Sequence, residues 1–86
     1  MARPRYELTA HAAVVISERG IDLDWIERTL AEPHRTEQDR TDPALRHALR
    51  RIAAHDDRVL RVVYNASVSP PRIVTAYFDR RQKGKP

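Results

Sequence analysis

The chain has no cysteine and only two glycines among its 86 residues, and aromatic side chains make up 6% of it. Without cysteine there is no disulfide, no thiolate nucleophile and no cysteine-based zinc site, a composition that fits a reducing compartment. Two glycines, Gly20 and Gly84, cannot form a glycine-rich phosphate loop. No apolar run approaches the roughly 20 residues that cross a bilayer. The amino-terminal stretch Met1-Ala-Arg-Pro-Arg-Tyr6 lacks the apolar region of a signal peptide. The expectation is a soluble cytoplasmic protein with no membrane partner. His11, His34, His47 and His55 lack the spacing of a zinc motif, and no serine sits in an elbow motif, so neither metal nor cofactor is expected.

What remains is charge. Charged residues make up 33% of the chain, and they are unevenly placed. Residues 1–42 hold six basic and nine acidic groups, whereas residues 43–86 hold ten basic and three acidic ones. A basic carboxy-terminal half attracts polyanions through a long-range, salt-sensitive field. At this length residues 1–86 make one domain, and it buries only about 60–65% of the surface its unfolded chain exposes. Any site is expected to be a shallow groove.

Arg58-Val-Leu-Arg-Val-Val-Tyr-Asn65 is the clearest element, a strand rich in β-branched residues at the centre of a small sheet. Tyr6 to Thr9 reads as a short strand or an extended lead-in. Thr9 is a helix cap for Ala10 to Arg19, which Gly20 ends, with Ala12, Val15 and Ile16 on the packed face. Asp22 caps a second helix that Pro33 stops near Glu32, with Ile21 and Ile26 as a staple and Leu23, Ile26 and Leu30 as the buried stripe. His34 to Arg40 is an edge strand or a loop.

Leu45, Ala48, Leu49 and Ile52 fit a helical period, but a strand from about Arg46 is preferred. Asp56-Asp57 then forms a tight turn that sets Ala53 opposite Leu60 and Leu49 opposite Tyr64. After a turn with two prolines, Arg72 to Asp79 is a further strand, and residues 82–86 form a basic tail expected to fray. The fold class is α+β: two amino-terminal helices on one face of a three- to four-stranded antiparallel sheet. Leu60, Val62 and Tyr64 lie on one side of the central strand and Val59, Arg61 and Val63 on the other, with no signal as to which side meets the helices.

The strings Thr9-x-His11-Ala12, Glu18-Arg19-Gly20-Ile21 and Val74-Thr75-Ala76-Tyr77-Phe78-Asp79-Arg80-Arg81, with a second helix ending near Pro33, resemble a small bacterial family catalogued as a domain of unknown function. Its relatives include the BrnT-like and RelE/ParE-like toxins of type II toxin-antitoxin systems. The resemblance spans about Tyr6 to Arg81. It implies a RelE/ParE-toxin-like fold and a toxin that binds RNA, chiefly mRNA and in some relatives on the ribosome. It also implies a metal-independent ribonuclease (mRNA interferase) activity and a cognate antitoxin as partner. The ParE-like branch acts instead on gyrase, and a non-catalytic protein- or nucleic-acid-binding module is a further alternative. Val15 departs from the pattern, since similar sequences often carry Arg four residues after the histidine.

Metal-independent RNA cleavage needs a base for the ribose 2'-hydroxyl, cations for the transition-state charge and an acid for the leaving oxygen. His11, in the matched motif and in the first turn of a helix, is the favoured base, and Tyr77 a second catalytic candidate. His47 could also move protons but reads more simply as a strand residue. Arg19, Arg50, Arg51, Arg61, Arg80 and Arg81 are the candidate nucleic-acid-binding residues, because guanidinium binds phosphate bidentately. Arg61 is the most informative of them. In the middle of an apolar strand it must reach a rim, find a carboxylate or meet an anionic ligand.

Overall fold

Capping chemistry places both helices in the computed structural model, which describes residues 5–82. The Thr9 hydroxyl accepts a hydrogen bond from the Ala12 N–H at 3.0 Å and starts α1, Ala10–Glu18. Gly20 follows with φ of 63°, a left-handed conformation that glycine adopts without strain. The Asp22 carboxylate accepts from the Asp24 N–H at 2.8 Å and starts α2, Leu23–Ala31. Among the described residues no helix is long and apolar enough to cross a membrane. Residues 83–86, most of the tail expected to fray, lie outside the described residues.

The strands are β1 (Glu7–Leu8), β2 (Arg35–Gln38), β3 (Leu45–Ile52), β4 (Arg58–Asn65) and β5 (Arg72–Phe78). They form one sheet in the order β1-β5-β4-β3-β2. β2, β3, β4 and β5 pair antiparallel, and β1 adds at the edge parallel to β5. The architecture is thus α+β with two helices, but the sheet has five strands and one parallel pair, not three or four antiparallel strands. The extra pairing depends on contacts distant in sequence, Glu7 N–H to the Pro71 carbonyl at 2.9 Å and Thr9 N–H to the Ile73 carbonyl at 3.0 Å. A two-residue strand carries no periodic signal of its own.

The β3–β4 register also differs from the sequence expectation. Arg50, not Ala53, lies opposite Leu60, and Arg46, not Leu49, lies opposite Tyr64. The strands stop pairing at Ile52 and Arg58, and Ala53–His55 forms a 3-10 turn before Asp56 and Asp57. Both aspartates are left-handed, with φ of 54° and 56°. The hairpin connection is therefore longer than a two-residue turn, and the register shifts by three.

Leu60 and Val62 point to the helices and join Ala12, Ile16, Ile21, Ile26, Ile52, Ile73 and Ala76 in one core, with Tyr64, Phe78 and Trp25 packed at its margin. On α2 the buried residues are Ile26 and Thr29, while Leu23 is 48% exposed. Ile26 and Leu30 pack inward as the sequence suggests, whereas Leu23 does not, and Thr29 is buried with its hydroxyl satisfied locally, donating to the Trp25 carbonyl at 2.7 Å. Arg61, Val59 and Val63 therefore face away from the helices. That open face is partly covered by the 3-10 turn Arg80–Gln82, which packs on β4.

Candidate functional site

Alternation along four adjacent strands assembles the site on the open face. Arg61 of β4 stands opposite Leu49 of β3 and Tyr77 of β5, and His47 of β3 stands opposite Glu37 of β2. These side chains converge with those of the 39–41 turn and with Arg81. Glu37, Asp39, Arg40, His47, Arg61, Tyr77 and Arg81 line a cleft of about 300 Å³.

Arg61 is 6% exposed and fully engaged. Its Nε donates to Asp79 Oδ2 at 3.0 Å, and its Nη2 lies 2.9 Å from the same oxygen. Its Nη1 donates to Glu37 Oε1 at 3.0 Å and to His47 Nδ1 at 2.8 Å. A buried guanidinium is costly unless paired, and here two carboxylates pair it. Burial acts to lower the Arg61 pKa, but hydrogen bonds to Glu37 and Asp79 outweigh it, and the net shift is upward. The hydrogen bond from Arg61 is the main cause of the lowered pKa of Glu37. At Asp79 burial raises the pKa, yet hydrogen bonds from Arg81 and Arg61 bring the net shift downward.

The same contacts fix the state of His47. Guanidinium is always a donor, so Nδ1 of His47 must accept, and the ring is the neutral tautomer with its proton on Nε2. That Nε2–H donates to Asp39 Oδ1 at 2.7 Å. Asp39 is itself held by the turn it closes, accepting at Oδ2 from the N–H groups of Thr41 at 3.2 Å and Asp42 at 3.0 Å. The hydrogen bond from His47, followed by these backbone donors, keeps the Asp39 carboxyl well below the usual carboxylate range. The arrangement is an imidazole oriented by a carboxylate, with its lone pair directed at Arg61.

The cleft brings together three of the residues singled out in the sequence: Tyr77, Arg61 and Arg81. The Arg81 side chain is 81% exposed, with Nε 3.3 Å from Asp79 Oδ1, so most of its guanidinium is open to a ligand. The others lie elsewhere. His11 is exposed on α1, in the helix layer, across the sheet from Tyr77. Arg19 Nη1 donates to the Ala76 carbonyl at 2.7 Å and ties α1 to β5. Arg50 Nη1 donates to the Glu32 carbonyl at the end of α2. Arg51 is exposed and lies 4.0 Å from Asp57. Arg80 is exposed beside a second, smaller cavity.

Three members of the network, Glu37, Asp39 and Asp79, were not picked out by sequence, and His47, a possible proton carrier there, reads more simply as a strand residue. One signal was available. In Arg35-Thr-Glu-Gln38 the charged residues alternate, as on a strand with one face turned to a polar cluster. Among the described residues no group of three or more His, Asp or Glu is arranged to hold a metal ion.

No curated protein and no solved structure matches the chain. A family profile does match, over residues 8–78, and so takes in both helices, the four strands β2 to β5 and most of the cleft. On that match, the chain belongs to DUF4258, a family described as a domain of unknown function.

Proposed function

We propose that this chain is a toxin-like protein of a type II toxin-antitoxin system that acts in the cytoplasm and binds and cleaves RNA, chiefly mRNA, without a metal. Kinship of the fold with BrnT-like and RelE/ParE-like toxins, action on the ribosome and a cognate antitoxin that covers the open face belong to the same proposal. One observation supports it above the others: Tyr77, Arg61, Arg81 and an aspartate-oriented His47 surround a single cleft.

His47 then takes the role first given to His11. Its Nδ1 accepts the proton of a ribose 2'-hydroxyl, and the 2'-oxygen forms a bond to phosphorus. The bond from phosphorus to the 5'-oxygen breaks, and the Tyr77 phenol protonates that oxygen, leaving a 2',3'-cyclic phosphate. Asp39 stabilises the imidazolium that forms. Arg81 and Arg40, at the rim, neutralise the phosphate oxygens as the phosphorane charge develops. Nη1 of Arg61 must shift from His47 Nδ1 towards the phosphate for the base to be free, a movement that substrate charge favours.

A second reading has its own observation. Glu37 and Asp79 already neutralise Arg61, so its guanidinium is satisfied without any ligand. This favours a non-catalytic module in which only Arg81 and Arg40 meet a polyanion. Expression in a bacterium with RNA integrity followed separates the readings. Growth arrest with new RNA ends, both lost on His47→Gln and Tyr77→Phe, supports the ribonuclease. Growth arrest with intact RNA points to a gyrase-type target, and undisturbed growth with salt-sensitive RNA binding to the module.

A further inference from the structure

Where β5 ends, the chain carries a second cavity beside the cleft, of about 140 Å³ and lined by Arg58, Phe78, Asp79 and Arg80. We propose that this cavity is an RNA subsite that stacks the nucleobase adjoining the cleft on Phe78 and holds that nucleotide's phosphate between Arg58 and Arg80. The inference rests on the RNA-binding reading above and extends it to residues outside the cleft.

Its size is the first argument. Sites for drug-sized ligands occupy roughly 300–1,000 Å³, so this cavity suits one planar ring system and not a whole ligand. Its floor is the second. The Phe78 ring is fixed by His55 at a centroid distance of 4.5 Å and by Trp25 at 5.9 Å, which makes it a rigid platform. Aromatic side chains so held stack bases with little sequence preference.

Charge is the third argument. Arg35, Arg51, Arg61, Arg72 and Arg81 each lie within ion-pair distance of a carboxylate. Arg58 and Arg80 are exposed and have no such partner among the described residues. Asp79 also lines the cavity, but its carboxylate is 3% exposed and committed to Arg61 and Arg81. An apolar ring between two unneutralised guanidiniums fits an aromatic anion. Asp79, which lines the cavity, pairs with Arg61 and Arg81 of the cleft, and Arg80 and Arg81 are consecutive, so a strand leaving the cleft over Arg81 meets Arg80 next.

The test uses 2'-O-methyl oligoribonucleotides of two and five nucleotides, which cannot be cleaved, with binding read by fluorescence anisotropy on the full chain. Phe78→Leu is expected to weaken the five-nucleotide probe roughly tenfold and the two-nucleotide probe little, while Phe78→Tyr restores binding. Arg58→Gln and Arg80→Gln, both at exposed positions, are each expected to lower the salt slope of binding by about one phosphate contact. Quenching of Trp25, the sole tryptophan, by the longer probe alone is the second readout. Wild-type affinity in the two arginine variants overturns the subsite, as does absence of RNA binding by the wild type. An acidic peptide that displaces the five-nucleotide probe at equal concentration also overturns it. Should the subsite variants weaken binding while RNA is never cut, the catalytic reading falls and the subsite stands. Should cleavage depend on His47 while the subsite variants bind normally, the reverse holds.

Discussion

Asp79 reaches Arg61 across 18 residues of sequence, with Oδ2 2.9 Å from Nη2, and the two side chains are 3% and 7% exposed. A pair this well sealed is costly to break and cheap to replace, because removing one partner leaves the other charge buried alone. Arg61→Met is expected to lower stability by about 3–5 kcal/mol. Arg61→Met together with Asp79→Leu should recover most of that loss. Urea unfolding of the two variants checks both values. Equal destabilisation in the single and double variants would show that the pair matters through something other than its charge.

Acid should loosen this network in a defined direction. Glu37, Asp39 and Asp79 all titrate lower in the folded chain than their ordinary values of 4.5 and 3.8. The unfolded chain therefore takes up protons first, and the stability these carboxylates contribute is complete above those ordinary values. It is lost as pH falls through the folded-state values. Urea midpoints are expected to be flat above about pH 5 and to drop steadily below it. Asp39→Asn should begin lower and fall less steeply.

The hairpin connection offers a stabilising change. Asp56 and Asp57 both have positive φ, which costs an ordinary residue energy that glycine does not spend. Asp56→Gly should raise stability by about 0.5–1 kcal/mol, and Asp56→Val should lower it by more than that. Thermal melts of the two variants, in opposite directions, are the check.

Arg19 separates a structural guanidinium from a binding one. Its bond to the Ala76 carbonyl joins α1 to β5 on the helix side, away from the cleft. Arg19→Met is expected to cost about 1–2 kcal/mol of stability. The salt dependence of RNA binding should not change. A smaller salt slope in this variant would return Arg19 to the binding surface.

The helices were legible because each carries its signals within a few residues: Thr9 and Asp22 as caps, Gly20 as a stop, and Ala12, Val15 and Ile16 on one face. β4 was legible from composition alone. The site was not, and the reason is register. With Leu49 set opposite Tyr64, the odd-numbered residues of β3 share a face with the even-numbered residues of β4. The observed pairing of Leu49 with Arg61 reverses this and carries His47 to the side of Arg61. A slip by an odd number of residues moves every side chain of a strand to the other face. The 3-10 turn at Ala53–His55, which produced the slip, has no signature in those three residues. His11 attracted attention through its motif and its place at a helix start, features that say nothing about what lies across the sheet.

The most direct measurement of the account is cleavage of a defined RNA by the purified chain in the presence of a metal chelator, with the new ends identified chemically. Wild type and His11→Ala should both yield 2',3'-cyclic phosphate ends, with His47→Gln and Tyr77→Phe slowed at least roughly a hundredfold. Intact RNA with the wild type, or products that persist in His47→Gln and vanish in His11→Ala, would contradict a catalytic cleft on the open face of the sheet.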